Sequence, residues 1–189
     1  MKKNFIYLSF CFLLSFILVS CGSEPAQSPD QLFDQNFKVE QVTNLYNSRS
    51  IPEGKSPEEM EKNRILVSSS AKGVDAYNQH RYTEAIQYFK SYINTFGKKN
   101  TEIGLYLSIS YLASKQLDKA KEGFQHLLKK GNKSIKKDAE WYLVLTLIKD
   151  NNVNEALQLL NKISAKKKHR YRTKAIKLQK QLEIYLAQQ

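Results

Sequence analysis

The residue types that most often ligate metals or attack substrates are few in this sequence and stand apart. The cysteines are Cys11 and Cys21, and the histidines are His80, His126 and His169. No two of them have the spacing of a metal-ligand pair, such as i, i+4 on a helix, so each histidine is predicted to be an isolated surface imidazole. Glycine-rich phosphate loops, G-x-S-x-G and H-E-x-x-H are absent from the sequence. We therefore predict no metal, no cofactor and no catalytic residue, and an enzyme with an unrecognised site is the disfavoured alternative.

Cys21 follows a mainly apolar run, residues 5–19, which is itself preceded by two lysines. This run is shorter than the roughly 20 residues that span a bilayer as a helix. A positive start, a short apolar core and small residues before a cleavage site are typical of a signal peptide. Residues 18–21 (LVSC) resemble the lipobox of bacterial lipoproteins, which implies a signal peptide at 1–20 and a diacylglycerol on the sulfur of Cys21. An uncleaved signal anchor and an ordinary secretory cleavage elsewhere are the alternatives.

Cleavage before Cys21 would remove Cys11 and leave a single, lipidated cysteine. The mature chain would then form no intramolecular disulfide, even after export to an oxidising compartment. Two or more acyl chains anchor a protein stably to a membrane. Gly22, where an aspartate would act as the inner-membrane retention signal of enteric lipoproteins, favours the outer membrane. The predicted location is the cell envelope, with a lipid anchor in the outer membrane and the protein facing the periplasm.

Charge is distributed unevenly along the chain. Residues 22–70 hold 8 acidic and 5 basic side chains, whereas residues 71–189 hold 10 acidic and 23 basic ones. A basic domain can bind nucleic acid, but export and the lack of a groove-reading motif argue against that partner. A solvated, solubilising face is the favoured interpretation, and attraction to anionic lipid or to an acidic partner is the alternative.

The segment that follows the proposed lipidation site changes character at residue 32. Residues 22–31 are rich in Pro, Ser and Gln and are predicted to form a tether. Residues 32–46 are too apolar for a free linker, because they include Leu32, Phe33, Phe37, Val39, Val42, Leu45 and Tyr46. We predict that they dock on the folded body, so that 21–55 forms a tether and docking segment. Ser56 and Pro57 then begin a helix.

Three similar apolar patterns follow, at 81–93, 116–128 and 152–164. Each contains an alanine with a large apolar residue four positions later, and these spacings place both on one helix face. The pairs are Ala85 with Phe89, Ala120 with Phe124, and Ala156 with Leu160. Thr83, Asp118 and Asn154 are predicted to be the N-caps of these helices. Each pattern is preceded by another helical one, so the sequence predicts helix pairs repeating about every 35 residues.

These residues resemble the tetratricopeptide repeat (TPR) family, in which pairs of helices stack into a solenoid. The alignment places Gly73, Ser108 and Val144 at the small position of each first helix, and Leu143 beside the last of them. The resemblance implies an all-α, TPR-like right-handed solenoid at 56–189, with repeats at about 66–99, 101–134 and 137–170 and a capping helix at 171–188. The last repeat also resembles those of envelope-associated TPR proteins from Bacteroidetes-type bacteria. An irregular helical bundle is the alternative.

The TPR resemblance also implies which side chains line the concave face. The residues most suited to bind a partner there are Tyr77, Leu105, Ile109, Trp141 and Leu145, since large apolar side chains dominate interface energetics. Binding of a peptide carboxylate would need several Lys, Arg and Asn side chains on this face. Only Asn78 and Lys149 qualify, so recognition of a carboxylate is not expected. Either a partner segment or residues 32–46 must cover so apolar a face. The alternative is that Trp141 and Leu145 are core side chains between adjacent repeats.

The function predicted from the sequence is a non-catalytic scaffold that binds a protein partner at the membrane of the cell envelope. It would engage neither nucleic acid nor a small-molecule substrate. The alternative is a subunit of an outer-membrane protein assembly machine, because the chain resembles the TPR lipoproteins of barrel assembly. Those proteins usually have about five repeats, whereas three are legible here.

Overall fold

The computed structural model of the chain describes residues 25–42, 56–97 and 100–189. These ranges hold eight α-helices and no β-strand, so the all-α prediction is confirmed. The helices are α1 (Pro29–Asn36), α2 (Pro57–Asn78), α3 (Tyr82–Phe96), α4 (Thr101–Ala113), α5 (Leu117–Lys130), α6 (Lys133–Lys149), α7 (Val153–Ala165) and α8 (Arg172–Ala187). None of them is long and apolar enough to span a bilayer. The predicted signal peptide and Cys21 lie outside the described residues.

Helices α2 to α8 form a chain of neighbours. Each packs against the helix before it and the helix after it, and α4 also contacts α2 and α6. Three-residue turns join α2 to α3, α4 to α5 and α6 to α7, which makes three helical hairpins. Contacts between sequential neighbours are the hallmark of repeat architectures. The described chain is thus an array of helical repeats with α8 packed on its last hairpin.

The three hairpin turns have the same geometry. Their central residues, His80, Lys115 and Asn151, all have left-handed backbone conformations, with φ of 60°, 59° and 56°. In each turn the next residue donates its N–H to a carbonyl five positions earlier, at 2.8 Å. This pairing satisfies the last carbonyls of the first helix, as in a Schellman motif. The repeat is therefore visible in the backbone as well as in the side-chain pattern.

The residues at the N-cap positions after these turns are not the ones that the sequence predicted. Thr83, Asp118 and Asn154 are each the second residue of α3, α5 and α7, and the prediction that they cap these helices is wrong. The cap positions hold Arg81, Gln116 and Asn152, none of which makes a side-chain capping bond. The tight turn already fixes the backbone of the entering residue, so the helix starts without a polar cap.

Side-chain caps occur instead where a new hairpin begins. The Oδ1 atom of Asn100 accepts the N–H groups of Glu102 and Ile103. Asn132 caps α6 in the same way, through two N–H groups of the first turn. Ser56 caps α2 as the sequence predicts, since its Oγ accepts the N–H of Glu59 at 3.2 Å. Asparagine caps thus mark the starts of the second and third hairpins.

The residues predicted to pack between helices are all buried. The fully buried ones are Ala85, Phe89, Ala120, Phe124, Ala156 and Leu160, and Ser108 and Leu143 retain 2% and 6% exposure. Gly73 of α2 lies directly against the Phe89 ring of α3. A small residue in one helix and a large ring in the next let the two helices approach closely. This packing supports the surface formed by α2, α4, α6 and α8.

Candidate partner-binding groove

The N-terminal segment lies across one face of the helical array. We call residues 25–42 the strap, and we call the surface beneath it, formed by α2, α4, α6 and α8, the groove face. The N–H of Ala26 donates to Gln188 at the end of α8. Helix α1 packs on α6 and α8, and Val42 reaches Asn78 at the end of α2. The strap therefore runs from the last described helix back to the first hairpin.

Apolar side chains anchor the strap. Leu32 is fully buried, Phe33 and Val42 are each 7% exposed, and all three belong to the main hydrophobic core. The Phe33 ring stacks on Phe37 at 5.0 Å, and Phe37 meets the ring of Tyr142 edge-on at 6.3 Å. The burial of these side chains provides most of the favourable free energy of docking. The sequence predicted docking of 32–46, and residues 32–42 do lie on the array, whereas 43–46 lie outside the described residues. The prediction that 22–31 is a tether is wrong for residues 25–31, because these residues bond to α8 and begin α1.

Polar contacts fix the strap at both ends and in the middle. The side-chain amide of Asn78 accepts the N–H of Val42 at 2.9 Å and donates to its carbonyl at 3.0 Å. The Tyr142 hydroxyl donates to the carbonyl of Lys38 at 2.8 Å. Lys149 pairs with Asp30 at 2.7 Å, and its ammonium lies 5.0 Å from the centre of the Phe33 ring. Asn78 and Lys149, which the sequence analysis identified as the residues of this face suited to a peptide carboxylate, thus both hold the strap.

The five predicted partner-binding residues are all buried in this conformation. Exposure is zero for Tyr77 and Leu145, 2% for Ile109 and Trp141, and 5% for Leu105. Tyr77, Leu105 and Ile109 line a cleft beneath the strap, together with the strap's Glu40 and Gln41. None of the five side chains presents a free surface while the strap is docked.

Trp141 has a structural partner that the sequence did not predict. Its ring stacks on Tyr171, the residue just before α8, at 5.1 Å and with an interplanar angle of 7°. The turn between α7 and α8 folds back over α6, and this brings Tyr171 over the indole. Trp141 and Leu145 therefore act as core side chains here, which was the alternative interpretation of both residues.

The cleft beneath the strap is small and polar. Its volume is about 230 Å³, and Glu40, Glu102, Asp138 and Arg170 contribute charged groups to its lining. The hydroxyl of Tyr77 is buried and has no hydrogen-bond partner among the described residues. Burial raises the pKa of Tyr77, so this hydroxyl stays protonated and needs an acceptor. The strap thus leaves one donor on the groove face unsatisfied.

Two tyrosines of the groove face should differ in how the stability of the protein responds to loss of the hydroxyl. Tyr142→Phe removes the bond to the Lys38 carbonyl and is expected to lower the free energy of unfolding by about 1 kcal/mol. Tyr77→Phe removes an unsatisfied donor and is expected to leave stability unchanged or to raise it by up to about 1 kcal/mol. Urea denaturation of both variants measures the difference. Equal losses in the two variants would contradict the assigned hydrogen bonding.

His169 is not the exposed imidazole that the sequence predicted. Its side chain is 1% exposed, and its Nε2 lies 2.9 Å from the carboxylate of Glu140. Its Nδ1 faces the N–H of Tyr171 at 3.2 Å. The neutral ring matches both contacts, because Nε2 donates and Nδ1 accepts. Burial lowers the pKa of His169 more than Glu140 raises it, so this histidine has a structural role in the turn before α8.

Acid should therefore weaken the fold through His169. Its pKa in the folded protein lies below that of the unfolded chain, so the unfolded chain takes up the proton first. The stabilisation from the neutral ring is complete above about pH 6.5, the usual histidine value, and is lost as the pH falls below it. Thermal unfolding between pH 7.5 and 5 should show a smaller decrease in Tm for His169→Gln than for the wild type. A decrease in Tm that is equally large in the wild type and in the His169 variant would contradict this role of His169.

A second cleft, of about 410 Å³, lies between α3, α4 and α5. It shares no lining residue with the cleft beneath the strap, and Leu107, Tyr111 and Leu127 form part of its wall. The parts of the chain that the structure describes contain no group of three or more His, Cys, Asp or Glu that could hold a metal ion. The strap-covered groove face is thus the site at which apolar anchors and backbone-binding polar groups converge.

These features define an all-α protein of helical repeats whose own N-terminal segment covers one face of the array. The chain belongs to the family described as "Uncharacterised Treponema protein", whose family model matches residues 75–188. That match spans α3 to α8 and includes most of the groove face. Comparisons with curated proteins and with solved structures found no match.

Proposed function

We propose that this protein is a lipid-anchored, TPR-like lipoprotein that holds a protein partner at the membrane of the bacterial cell envelope. It acts by binding and catalyses no reaction. Its partner-binding surface is the groove face, and Cys21 is the lipidated residue.

One observation carries this proposal: the groove face already binds a polypeptide segment. The strap is a short helix followed by extended chain, and side chains of α2 and α6 contact its backbone directly. A surface that meets main-chain N–H and C=O groups in this way is suited to recognise peptides. The Tyr142 ring, which meets Phe37 of the strap edge-on, makes an aromatic contact of the kind that protein interfaces use.

The TPR-like interpretation is supported by the period of the structure. The three left-handed turn residues, His80, Lys115 and Asn151, are 35 and 36 positions apart. The buried alanines Ala85, Ala120 and Ala156 repeat with the same spacings. A period near 34 with two helices per unit is characteristic of TPR arrays.

The proposed lipid anchor fits the position of the strap. Cys21 precedes the first described residue of the strap, Pro25, by four positions, and Ala26 is bonded to the end of α8. Four residues of chain reach at most about 14 Å. With the strap docked, the α8 end of the array would therefore lie close to the membrane surface.

Co-purification from native membranes tests the proposal. The full chain with a C-terminal tag is extracted with a mild detergent after crosslinking, and the retained proteins are identified. We expect a defined, stoichiometric partner. Barrel-assembly subunits in that role would place the protein in an outer-membrane assembly machine. Absence of any crosslinked partner, or reproducible turnover by the purified protein, would overturn the scaffold proposal.

Cys21→Ala provides the matched control for anchoring. This variant is expected to lose incorporation of labelled fatty acid and to accumulate as uncleaved precursor, because the sulfur that accepts the diacylglycerol is gone. Cys11→Ala, which removes the other cysteine, should be processed normally. Unchanged lipid labelling of the Cys21 variant would rule out the lipobox.

A further inference from the structure

We propose that the groove face is a docking site for a segment of a separate protein with the chemistry of the strap, and that the strap competes with this segment. The partner segment has an acidic first helical turn, an adjacent Leu–Phe pair and an apolar residue in a following extended stretch. This inference rests on the proposed function and specifies the partner of the same surface.

The backbone contacts of the strap do not depend on its sequence. Asn78 binds both the N–H and the carbonyl of Val42, and Tyr142 binds the carbonyl of Lys38. Any extended segment offers these groups at the same intervals, because every residue but proline carries one donor and one acceptor. The groove face can therefore hold a foreign segment in the path of the strap.

The side-chain contacts determine which segment fits. Leu32 and Phe33 are adjacent and buried, so both side chains of this short helix must face the array. Asp30 lies in the first turn of the same helix, and its carboxylate meets Lys149, the last residue of α6. The Lys149 ammonium attracts an acidic group by its charge, and its contact with the Phe33 ring favours an aromatic residue at that position. The partner segment must therefore contain the sequence D/E-x-L-F, followed by an extended stretch.

The strap fills this site imperfectly. It leaves the cleft of about 230 Å³ between Glu40, Gln41 and the groove face. It also leaves the Tyr77 hydroxyl without a partner among the described residues. A segment that places a hydrogen-bond acceptor over Tyr77 would satisfy a donor that the strap does not. Such a segment would bind more favourably than the strap at Tyr77.

The strap in turn has the advantage of being attached. Thirteen residues separate Val42 from Ser56, and a connection of that length gives an effective concentration on the order of millimolar. If the groove face binds a free segment with a Kd of about 10 µM, the attached strap weakens that binding about 100-fold. Only a partner that is tight or locally concentrated displaces it.

Binding of a synthetic peptide tests the proposal. The probe is a fluorescent peptide of residues 25–42, titrated against the intact full chain and against full chain carrying Leu32→Ser and Phe33→Ser, which frees the groove face. We expect the opened chain to bind the peptide about 100-fold more tightly than the intact chain. Circular dichroism and thermal unfolding report whether the opened chain keeps its helices.

If the substituted chain unfolds, a cleavable chain tests the same proposal. A specific protease site placed between residues 43 and 55 of the full chain lets the strap be separated from an already folded array. The cut strap loses its attachment and should exchange with the labelled peptide at micromolar concentration. Failure to exchange, with the helices intact, would overturn the proposal.

Charge reversal provides the specificity control. The peptide with Asp30→Lys should bind the opened chain several-fold more weakly, and Lys149→Glu in the opened chain should restore part of that loss. A peptide with Leu32→Ser and Phe33→Ser should bind at least about 100-fold more weakly, because two buried apolar anchors are removed. Equal binding of all three peptides would show that they bind elsewhere, and it would contradict the groove face as the docking site.

The outcomes separate this inference from the proposed function. If a partner crosslinks at the membrane but the opened chain does not bind the peptide, the scaffold remains and the groove face is not its docking site. If the peptide binds as expected but no partner is recovered, the recognition chemistry stands and the scaffold role falls.

Discussion

Replacing Phe124 with alanine is expected to lower the free energy of unfolding by about 3–5 kcal/mol. The ring is fully buried, and it stacks on Tyr142 at 5.9 Å with an interplanar angle of 14°. Tyr142 in turn carries the edge contact to Phe37 and the hydrogen bond to the strap. The substitution therefore leaves a cavity between α5 and α6 and loosens the side chain that holds the middle of the strap.

Phe96→Ala is the control for this prediction. Phe96 is the last residue of α3, is only partly buried, and packs on the edge of the core. Its loss should cost markedly less than that of Phe124, because less apolar surface is exposed and solvent fills the gap. Chemical denaturation of both variants gives the comparison. Similar losses would mean that burial of the Phe124 ring does not determine its contribution.

Gly73→Ala is expected to destabilise the protein by about 1–3 kcal/mol, although alanine is the better helix former. A Cβ at this position would lie 2.5 Å from the nearest carbon of the Phe89 ring. That ring is fully buried among the core side chains. The two helices must separate or the ring must leave its rotamer, and both changes cost more than the gain in helix propensity.

Gly104→Ala is the matched control, since Gly104 also lies within a first helix of a hairpin. The nearest atom to its added Cβ would be the end of the Leu127 side chain, at 3.3 Å. Gly104 borders the open cleft between α3 and α5, where that side chain can yield. This variant should be neutral or more stable by up to about 1 kcal/mol. Thermal unfolding of the pair tests whether the contact with Phe89 causes the loss of stability at Gly73, and equal destabilisation of both variants would contradict it.

The helices and their buried faces were predictable because the signal is local. Apolar residues at spacings of three, four and seven determine which face of a helix is buried, whatever lies opposite. Ala120 and Phe124 illustrate this, since both are fully buried as the pattern predicted. The helix starts were less predictable. A turn centred on Lys115 begins α5 by backbone hydrogen bonding alone, and no residue type marks such a start uniquely.

The composition of residues 32–46 is enough to predict that this segment is too apolar to remain in solvent. The position of its described part, residues 32–42, follows from the stacked helices and not from the local sequence. Its path depends on pairs more than 100 residues apart, such as Phe37 with Tyr142 and Lys38 with Tyr142. Complementarity of that kind arises only after the helices have stacked and brought α2, α6 and α8 to one face. The burial of Trp141 and His169 has the same origin, because the turn before α8 brings Tyr171 onto Trp141 and His169 onto Glu140 only in the folded chain.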